Sequence, residues 1–270
     1  MKTLQIIKQD QDKTISLVEH ETSHTKYIQK ELNYYDKTLY QTLQKIKNPY
    51  LPKIFVIQEN DNHLTLIEEY IEGKTLDQQS FSKEQVKDIT HQLCECLDSL
   101  HKLNPPIIHR DIKPENILFY NNSYVLSDFG LVFFKKKTAK TPIGSKIGAK
   151  WTISPQMERD AVHADKFKAD VYSMAKTIWI ILTNEMKSFE GQYTPNSVVS
   201  LRQYISDKIY LYPLEKLLAQ CTDYNEDARP NAKELEQKFT EWININNSWS
   251  RQNLLQWQEV QEQLFPTIIP

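Results

Sequence analysis

The feature that most constrains this chain is the string His-Arg-Asp-Ile-Lys-Pro-Glu-Asn at residues 109–116. An apolar run follows, and after a turn the chain continues as Val-Leu-Ser-Asp-Phe-Gly at residues 125–130. Asp111 or Asp128 taken alone would be interpreted as a carboxylate that caps a turn. Together with the Lys and Asn of the same string, the two carboxylates predict a functional site.

This string resembles the catalytic loop of protein kinases, and the Asp-Phe-Gly that follows resembles their metal-binding motif. Lys113 followed by proline is the form associated with Ser/Thr rather than Tyr kinases. Two later segments resemble further kinase elements, the central-helix segment at residues 170–173 and the Arg-Pro element at residues 227–230. The resemblance covers residues 4–242, and segments near the catalytic loop and central helix resemble small bacterial Ser/Thr kinases of eukaryotic type.

The resemblance implies a protein substrate, with ATP and Mg²⁺ as cofactors. Asp111 would accept the proton of the substrate hydroxyl, and Lys113 would bind the transferred phosphoryl group and neutralise its charge. Asn116 and Asp128 would bind Mg²⁺ and, through it, the nucleotide. Lys30 ends a strand-like Tyr-Ile-Gln-Lys and would hold the α- and β-phosphates. A solvated strand lysine is the alternative for Lys30.

The segment Glu-Tyr-Ile at residues 69–71 resembles the hinge between the two lobes of a kinase. Glu69 and Ile71 are therefore predicted to bind adenine through backbone groups. Glu68 would occupy the gatekeeper position, where a carboxylate is unusual. Ile28 replaces the usual alanine above the adenine and would narrow the pocket.

The nucleotide lid departs from the family pattern. Counting back from Lys30 places Lys8, Asp10 and Lys13 where kinases have three glycines. Glycine allows backbone amides to approach phosphates closely and allows positive φ at little cost. We therefore expect a weaker grip on ATP, with part of the loss offset by the two lysines.

The helix of the first lobe departs as well, because Leu39 stands where kinases carry a glutamate that pairs with the strand lysine. The helix is therefore predicted to offer Lys30 no partner. Asp36 or Glu31 could approach Lys30 instead, and the sequence does not choose between them. Without a partner, the phosphate contact would be less preorganised and turnover slower.

Two predictions concern the activation segment. Gln156 replaces a glutamate that would pair with Arg229, which should weaken that contact because a neutral amide lacks charge-assisted strength. The polar stretch at residues 135–150 is predicted to be a long mobile loop. Phosphorylation is expected on one of three hydroxyls, where phosphate could pair with the arginine of the catalytic loop. These candidates are Thr138, Thr141 and Ser145.

Composition limits the partners and the location. Lys plus Arg at 33 and Asp plus Glu at 35 give a formal net charge of −2, so no nucleic-acid partner is predicted. The longest strongly apolar stretch, residues 178–182, is far shorter than the roughly 20 residues that cross a bilayer, so no membrane association is expected. Charged residues interrupt the N-terminal apolar run too early for a signal peptide. With three cysteines, these features favour a cytoplasmic protein.

Hydrophobic periodicity divides the chain into two parts. Residues up to about 72 predict a small antiparallel β-sheet lobe with one helix, and residues 73–242 predict a larger, mainly α-helical lobe. Its first long helix is predicted to begin with a capping box of Ser82 and Gln85, and the apolar residues 171–183 are predicted to form a buried central helix. We therefore expect an α+β, two-lobed protein-kinase-like fold.

Residues 243–270 are predicted to be a C-terminal extension whose helix packs its apolar side chains on the larger lobe or leads to a further region. These side chains, at helical spacing, are Leu254, Trp257, Val260 and Leu264. A partner-binding helix is the alternative.

Two other functions compete with that of a protein Ser/Thr kinase. A pseudokinase would keep the fold as a nucleotide-binding or scaffold module, but it has no chemical reason to retain Asp111 and the groups beside it. A small-molecule phosphotransferase on a similar fold commonly lacks both Lys113-Pro114 and the long segment from Asp128 to Gln156, and this chain has both.

Overall fold

The computed structural model describes residues 1–60, 63–134, 149–160, 164–205 and 209–265. The strands are β1 Lys2–Gln9, β2 Lys13–Glu19, β3 Lys26–Leu32, β4 Ile54–Asn60, β5 His63–Glu69, β6 Lys74–Thr75, β7 Ile107–Ile108, β8 Ile117–Tyr120, β9 Ser123–Leu126 and β10 Phe133–Phe134. The helices are α1 Lys37–Lys45, α2 Lys83–His101, α3 Pro155–Asp160, α4 Lys166–Thr183, α5 Tyr212–Cys221, α6 Ala232–Asn246 and α7 Trp249–Leu264. The strand-rich part precedes the helix-rich part, so the predicted two-lobed α+β fold is confirmed.

The smaller lobe is built on a five-stranded antiparallel sheet in the order β1-β2-β3-β5-β4. Lys30 of β3 lies opposite Ile15 of β2 and Leu66 of β5. Because alternate residues of a strand share a face, Lys13 of β2 and Glu68 of β5 lie on the same face as Lys30. The register therefore gathers three charged side chains on one face of the sheet.

The predicted helix of this lobe is α1, and its apolar side packs into the main core. Leu39, Tyr40 and Leu43 are buried there together with Leu66. The Asp36 side chain accepts hydrogen bonds from the backbone amides of the first helical turn, which satisfies donors that have no partner within the helix. Asp36 therefore caps the N-terminus of α1.

The larger lobe is organised around α4, whose residues 169–181 are all buried, as predicted for a central helix. The predicted capping box of α2 is also present, because the side chains of Ser82 and Gln85 each accept a hydrogen bond from the other's backbone amide. Although α4 is apolar almost all round, no helix in the described ranges is both long and apolar enough to span a bilayer.

One residue of α4, Lys176, is a buried amine with only 2% of its surface exposed. Its Nζ donates a hydrogen bond to the carbonyl of Phe189 and lies 3.6 Å from the centroid of the Phe189 ring. Burial lowers the pKa of Lys176 to about 7, against the opposing effect of Glu190. The folded protein therefore releases this proton at a much lower pH than the unfolded chain does.

We expect the free energy of unfolding to rise with pH above about 7, by at most ~1.4 kcal/mol per pH unit from this group. The reason is that the unfolded lysine keeps its proton up to its usual pKa of 10.5, whereas the folded one has lost it. Urea unfolding of the wild type and Lys176→Met would measure this, and the variant should show a flatter profile. The comparison should stay below about pH 8.5, because unfolding exposes buried thiols that ionise above it. Equal slopes in both proteins would contradict the expectation.

The C-terminal extension forms α7, which is held to the larger lobe through its charged side. Glu259 lies 3.1 Å from Arg202, and Glu262 lies 2.6 Å from Lys216. Its apolar residues instead face outward, with Trp257 71% exposed. The other exposed apolar side chains are Trp249, Leu254, Val260 and Leu264. The expectation that these apolar side chains pack on the larger lobe is wrong, and the partner-binding interpretation of this helix stays a prediction.

Candidate active site

The catalytic-loop string folds into a tight turn that brings its polar side chains together. Asp111 is buried, and its Oδ2 accepts hydrogen bonds from Lys113 Nζ and Asn116 Nδ2, both at 2.9 Å. Its other oxygen, Oδ1, has no hydrogen-bond partner among the described residues. Asn116 Nδ2 also donates to the Asp111 carbonyl at 2.8 Å, so the Asn116 amide oxygen is left for a cation. One oxygen of Asp111 is thus fixed and the other can accept a proton.

Asp170 of α4 holds this loop in place through the backbone. Its Oδ1 accepts from the amide of Arg110 at 2.8 Å, and its Oδ2 accepts from the amide of His109 at 2.9 Å and from the ring of His101 at 2.9 Å. Arg110 has a φ of 66°, in the left-handed region that side chains rarely adopt. The buried carboxylate of Asp170 therefore stabilises a strained backbone just before Asp111.

Asp128 follows β9 and faces the smaller lobe. Both of its carboxylate oxygens lie 3.0 Å from Lys13 Nζ of β2, so a lysine of the lid reaches across the cleft to the second predicted Mg²⁺ ligand. Burial of the Asp128 carboxyl opposes its ionisation, but Lys13 and Lys30 outweigh that effect and hold its pKa below the usual value. Asp128 is therefore a carboxylate at neutral pH.

The donor chemistry of Asp128 and Asn116 fits a hard cation. Mg²⁺ prefers oxygen ligands and usually takes only one or two from protein, with phosphates and water completing its shell. In the described part of the chain, no group of three or more His, Cys, Asp or Glu side chains forms a fuller cage. The Lys13 ammonium already beside Asp128 shows that the carboxylate attracts positive charge.

Lys30 has a partner that the sequence did not reveal. Its Nζ lies 2.5 Å from Glu68 Oε2, and the two side chains are only 12% and 7% exposed. The helix supplies no partner through Leu39, as expected, but neither Asp36 nor Glu31 takes the role, since Glu31 accepts a hydrogen bond from Gln29 instead. The physical reason is the sheet register, which makes Lys30 and Glu68 diagonal neighbours on one face.

Glu68 of the sheet therefore takes the place of the helix glutamate that is absent at position 39. Leu39 is buried in the core, where a carboxylate would be costly. The unusual carboxylate at the gatekeeper position, Glu68, supplies the anionic partner for Lys30. Slow turnover can no longer be inferred from an unpaired Lys30.

The predicted hinge lies where the chain leaves the sheet. Glu69 is the last residue of β5, and its amide donates to the Lys53 carbonyl at 2.8 Å. Ile71 follows outside the strand, and its carbonyl accepts from the amide of Gly73 at 2.8 Å. The backbone of residues 69–71 thus joins the sheet to the helical lobe, and its contact with adenine stays a prediction.

Gln156 contacts Arg229 as its position implies. Gln156 Oε1 accepts from Arg229 Nη2 at 2.7 Å, and the Gln156 amide group donates to the carbonyl of Tyr224. Arg229 is buried, and its Nη1 has no hydrogen-bond partner among the described residues. Gln156 therefore accepts one hydrogen bond from a guanidinium that could donate two to a carboxylate at this position.

Gln156→Glu should raise the free energy of unfolding by about 1 kcal/mol, because a carboxylate can accept from both Nη1 and Nη2 of Arg229. Part of the gain is lost with the hydrogen bond to the Tyr224 carbonyl. Thermal unfolding should show a midpoint roughly 2–4 °C higher. Gln156→Leu, which removes the oxygen, should shift the midpoint down, and a stabilising effect of that variant would contradict this account.

The predicted phosphorylation sites Thr138, Thr141 and Ser145 lie outside the described residues. On the C-terminal side of that gap, Ala149, Trp151 and Thr152 border a cavity of about 410 Å³ beside the catalytic loop. Its other walls include Lys113, Glu115 and Ile180. Sequence patterns gave no signal for this cavity, because its walls come from distant parts of the chain.

A strand-rich lobe and a helical lobe, with lysines and carboxylates paired between them, define a two-lobed, protein-kinase-like fold. The sequence matches the protein kinase domain family over residues 5–243. This chain belongs to the protein kinase family.

Several proteins named as kinases are similar in sequence. Serine/threonine-protein kinase D of Synechocystis is 34% identical over 149 residues, which are 52% of this chain and 28% of that protein. The probable serine/threonine-protein kinase drkC of Dictyostelium discoideum is 32% identical over 161 residues, 56% of this chain and 21% of that protein. A putative mitogen-activated protein kinase kinase kinase 7-like protein of Drosophila melanogaster is 31% identical over 193 residues, 63% of this chain and 47% of that protein. The matching segments span between a fifth and a half of these relatives.

Proposed function

We propose that this chain is a protein Ser/Thr kinase that transfers the γ-phosphoryl group of ATP to a hydroxyl of a protein substrate. The proposal depends most on the hydrogen bonding of Asp111. Lys113 and Asn116 donate to one of its carboxylate oxygens, and the other oxygen has no partner among the described residues. The similarity to proteins named as Ser/Thr kinases supports the same class of acceptor.

In this proposal each charged group of the cleft has one task. Asp111 Oδ1 accepts the proton of the substrate hydroxyl, and Lys113, beside it, neutralises charge on the transferred group. Asp128 and Asn116 hold Mg²⁺, which when bound offsets the negative charge of the phosphates. Lys30, fixed by Glu68, binds the α- and β-phosphates.

A protein acceptor is favoured over a small metabolite by two features. The chain keeps the long segment between Asp128 and Gln156, which small-molecule phosphotransferases of similar fold commonly lack. A cavity of about 410 Å³ lies beside Lys113 and is bordered by Ala149, Trp151 and Thr152 of that segment, which supports a protein acceptor.

The test is incubation of wild type and Asp111→Ala with labelled Mg-ATP, a generic protein substrate and a pool of small metabolites. Label on protein that disappears with Asp111→Ala supports the proposal. Label on a metabolite would indicate a small-molecule phosphotransferase, and nucleotide binding without transfer would indicate a pseudokinase. The intact mass of the wild type would report autophosphorylation in the same experiment.

A further inference from the structure

The turn between β1 and β2, which forms the nucleotide lid, uses its own carboxylate to satisfy its backbone. Asp10 Oδ1 accepts hydrogen bonds from the amides of Asp12 and Lys13, both at 2.9 Å. The Asp10 amide in turn donates to the Lys13 carbonyl at 3.0 Å. Three amides of the lid, those of Asp10, Asp12 and Lys13, are thereby committed within the turn, and the Asp10 carboxylate would repel a phosphate. This lid does not offer phosphates the usual backbone donors.

The same turn places a side-chain cation over the cleft. Lys13 lies on the sheet face that carries Lys30, and its side chain is only 17% exposed. Its Nζ reaches Asp128 at 3.0 Å from both carboxylate oxygens. The Lys13 ammonium is therefore held inside the cleft rather than in solvent.

We propose that Lys13 is a phosphate-binding residue of the lid, whose ammonium replaces the backbone amides and rests on Asp128 when no nucleotide is bound. An ammonium suits this task because it is a compact charge with three rotatable donors. The inference rests on the proposed ATP site but not on turnover.

In this proposal Lys13 has two alternative partners, the Asp128 carboxylate and a bound phosphate, and the geometry couples them. Lys13 Nζ lies between the two oxygens of Asp128, where a divalent cation would meet this carboxylate, so the pair opens when a cation binds there. The like charge of the cation repels the ammonium, and a bound polyphosphate offers it a new anionic partner next to Lys30. Lys13 therefore competes with the metal for Asp128 and assists the nucleotide.

Calorimetric titration of the full chain with ADP in the presence of EDTA tests the phosphate contact directly, without turnover. Lys13→Met should weaken metal-free ADP binding by about five- to tenfold. The matched control is Lys37→Met, which removes an exposed lysine of the same lobe that lies 2.8 Å from Glu59; its affinity should stay within about twofold of wild type. Lys13→Arg keeps the charge and should restore binding to within about threefold.

A second titration with Mn²⁺ alone tests the resting contact, because Lys13→Met removes the cation that competes at Asp128. Mn²⁺ should bind this variant about fivefold more tightly than the wild type. If Lys13→Met left the metal-free ADP affinity unchanged, the proposal would be overturned. Tighter Mn²⁺ binding in the same variant would then show that Lys13 only competes with the metal for Asp128. Equal weakening by Lys37→Met would also overturn it, since the effect would then come from the general charge of the lobe. ADP binding that depends on Lys13 in a protein without transfer activity would leave the proposal standing and reject the kinase function.

Discussion

Asp111→Asn should lower kcat for transfer to protein by about 10²–10⁴-fold while leaving nucleotide affinity within about twofold of wild type. The amide has nearly the same shape but cannot accept a proton at the position of Oδ1. Lys113 and Asn116 keep a neighbour that they can hydrogen-bond, so the loop should retain its shape. Steady-state kinetics together with ADP titration would separate the loss of chemistry from a loss of binding.

A surface variant provides the control for this prediction. Asp98→Asn removes a carboxylate of α2 that pairs with Lys102 on the surface, and it should leave kcat unchanged. If Asp111→Asn kept more than about a tenth of the wild-type kcat, Asp111 would not be the proton acceptor.

Glu68→Gln should lower the free energy of unfolding by about 3 kcal/mol and kcat/KM by roughly 10–100-fold. The stability falls because Lys30 would be left as a buried charge without its partner. Activity falls because Lys30 would no longer be held in one orientation toward the phosphates. Urea unfolding, and kinetics measured well below the unfolding midpoint, would report the two effects separately.

The double variant Lys30→Met/Glu68→Leu distinguishes positioning from a general loss of structure. Replacing both members of a buried ion pair by apolar residues of similar size is often close to neutral for stability. We therefore expect the double variant to unfold near the wild-type midpoint yet to remain inactive. Wild-type stability and activity in Glu68→Gln would show that the pair does not hold Lys30.

The parts of the site that sequence predicted best are those whose members lie close together in the chain. Asp111, Lys113 and Asn116 stand within one short string, so local geometry alone brings them into contact. The capping box of α2 and the buried α4 were predicted for the same reason, because a helical period and its caps are local signals. Their residue roles follow from the family resemblance and stay proposals.

The partner of Lys30 illustrates what a local signal misses. Glu68 was identified by position, and its alternation with Leu66 along β5 places it on a known face. Whether that face meets Lys30 depends on the pairing of β3 with β5, and a shift of one residue would turn Glu68 to the other side. Asp36 and Glu31 were nearer in sequence but are committed elsewhere, Asp36 to the end of α1 and Glu31 to Gln29.

The sequence by itself determined the two-lobed class of fold, the catalytic loop and the departures in the lid and helix, because each depends on residue identity at short spacing. Only the tertiary structure decided which charged side chains in the lid and the sheet form ion pairs with each other. Lys13 and Asp128 are 115 positions apart, and their contact exists only because the lobes close over one cleft. The orientation of α7 was also decided by tertiary structure. Its apolar residues at helical spacing predicted a buried stripe, but its charged side contacts the larger lobe. Interactions between distant segments depend on register and docking, which no local pattern encodes.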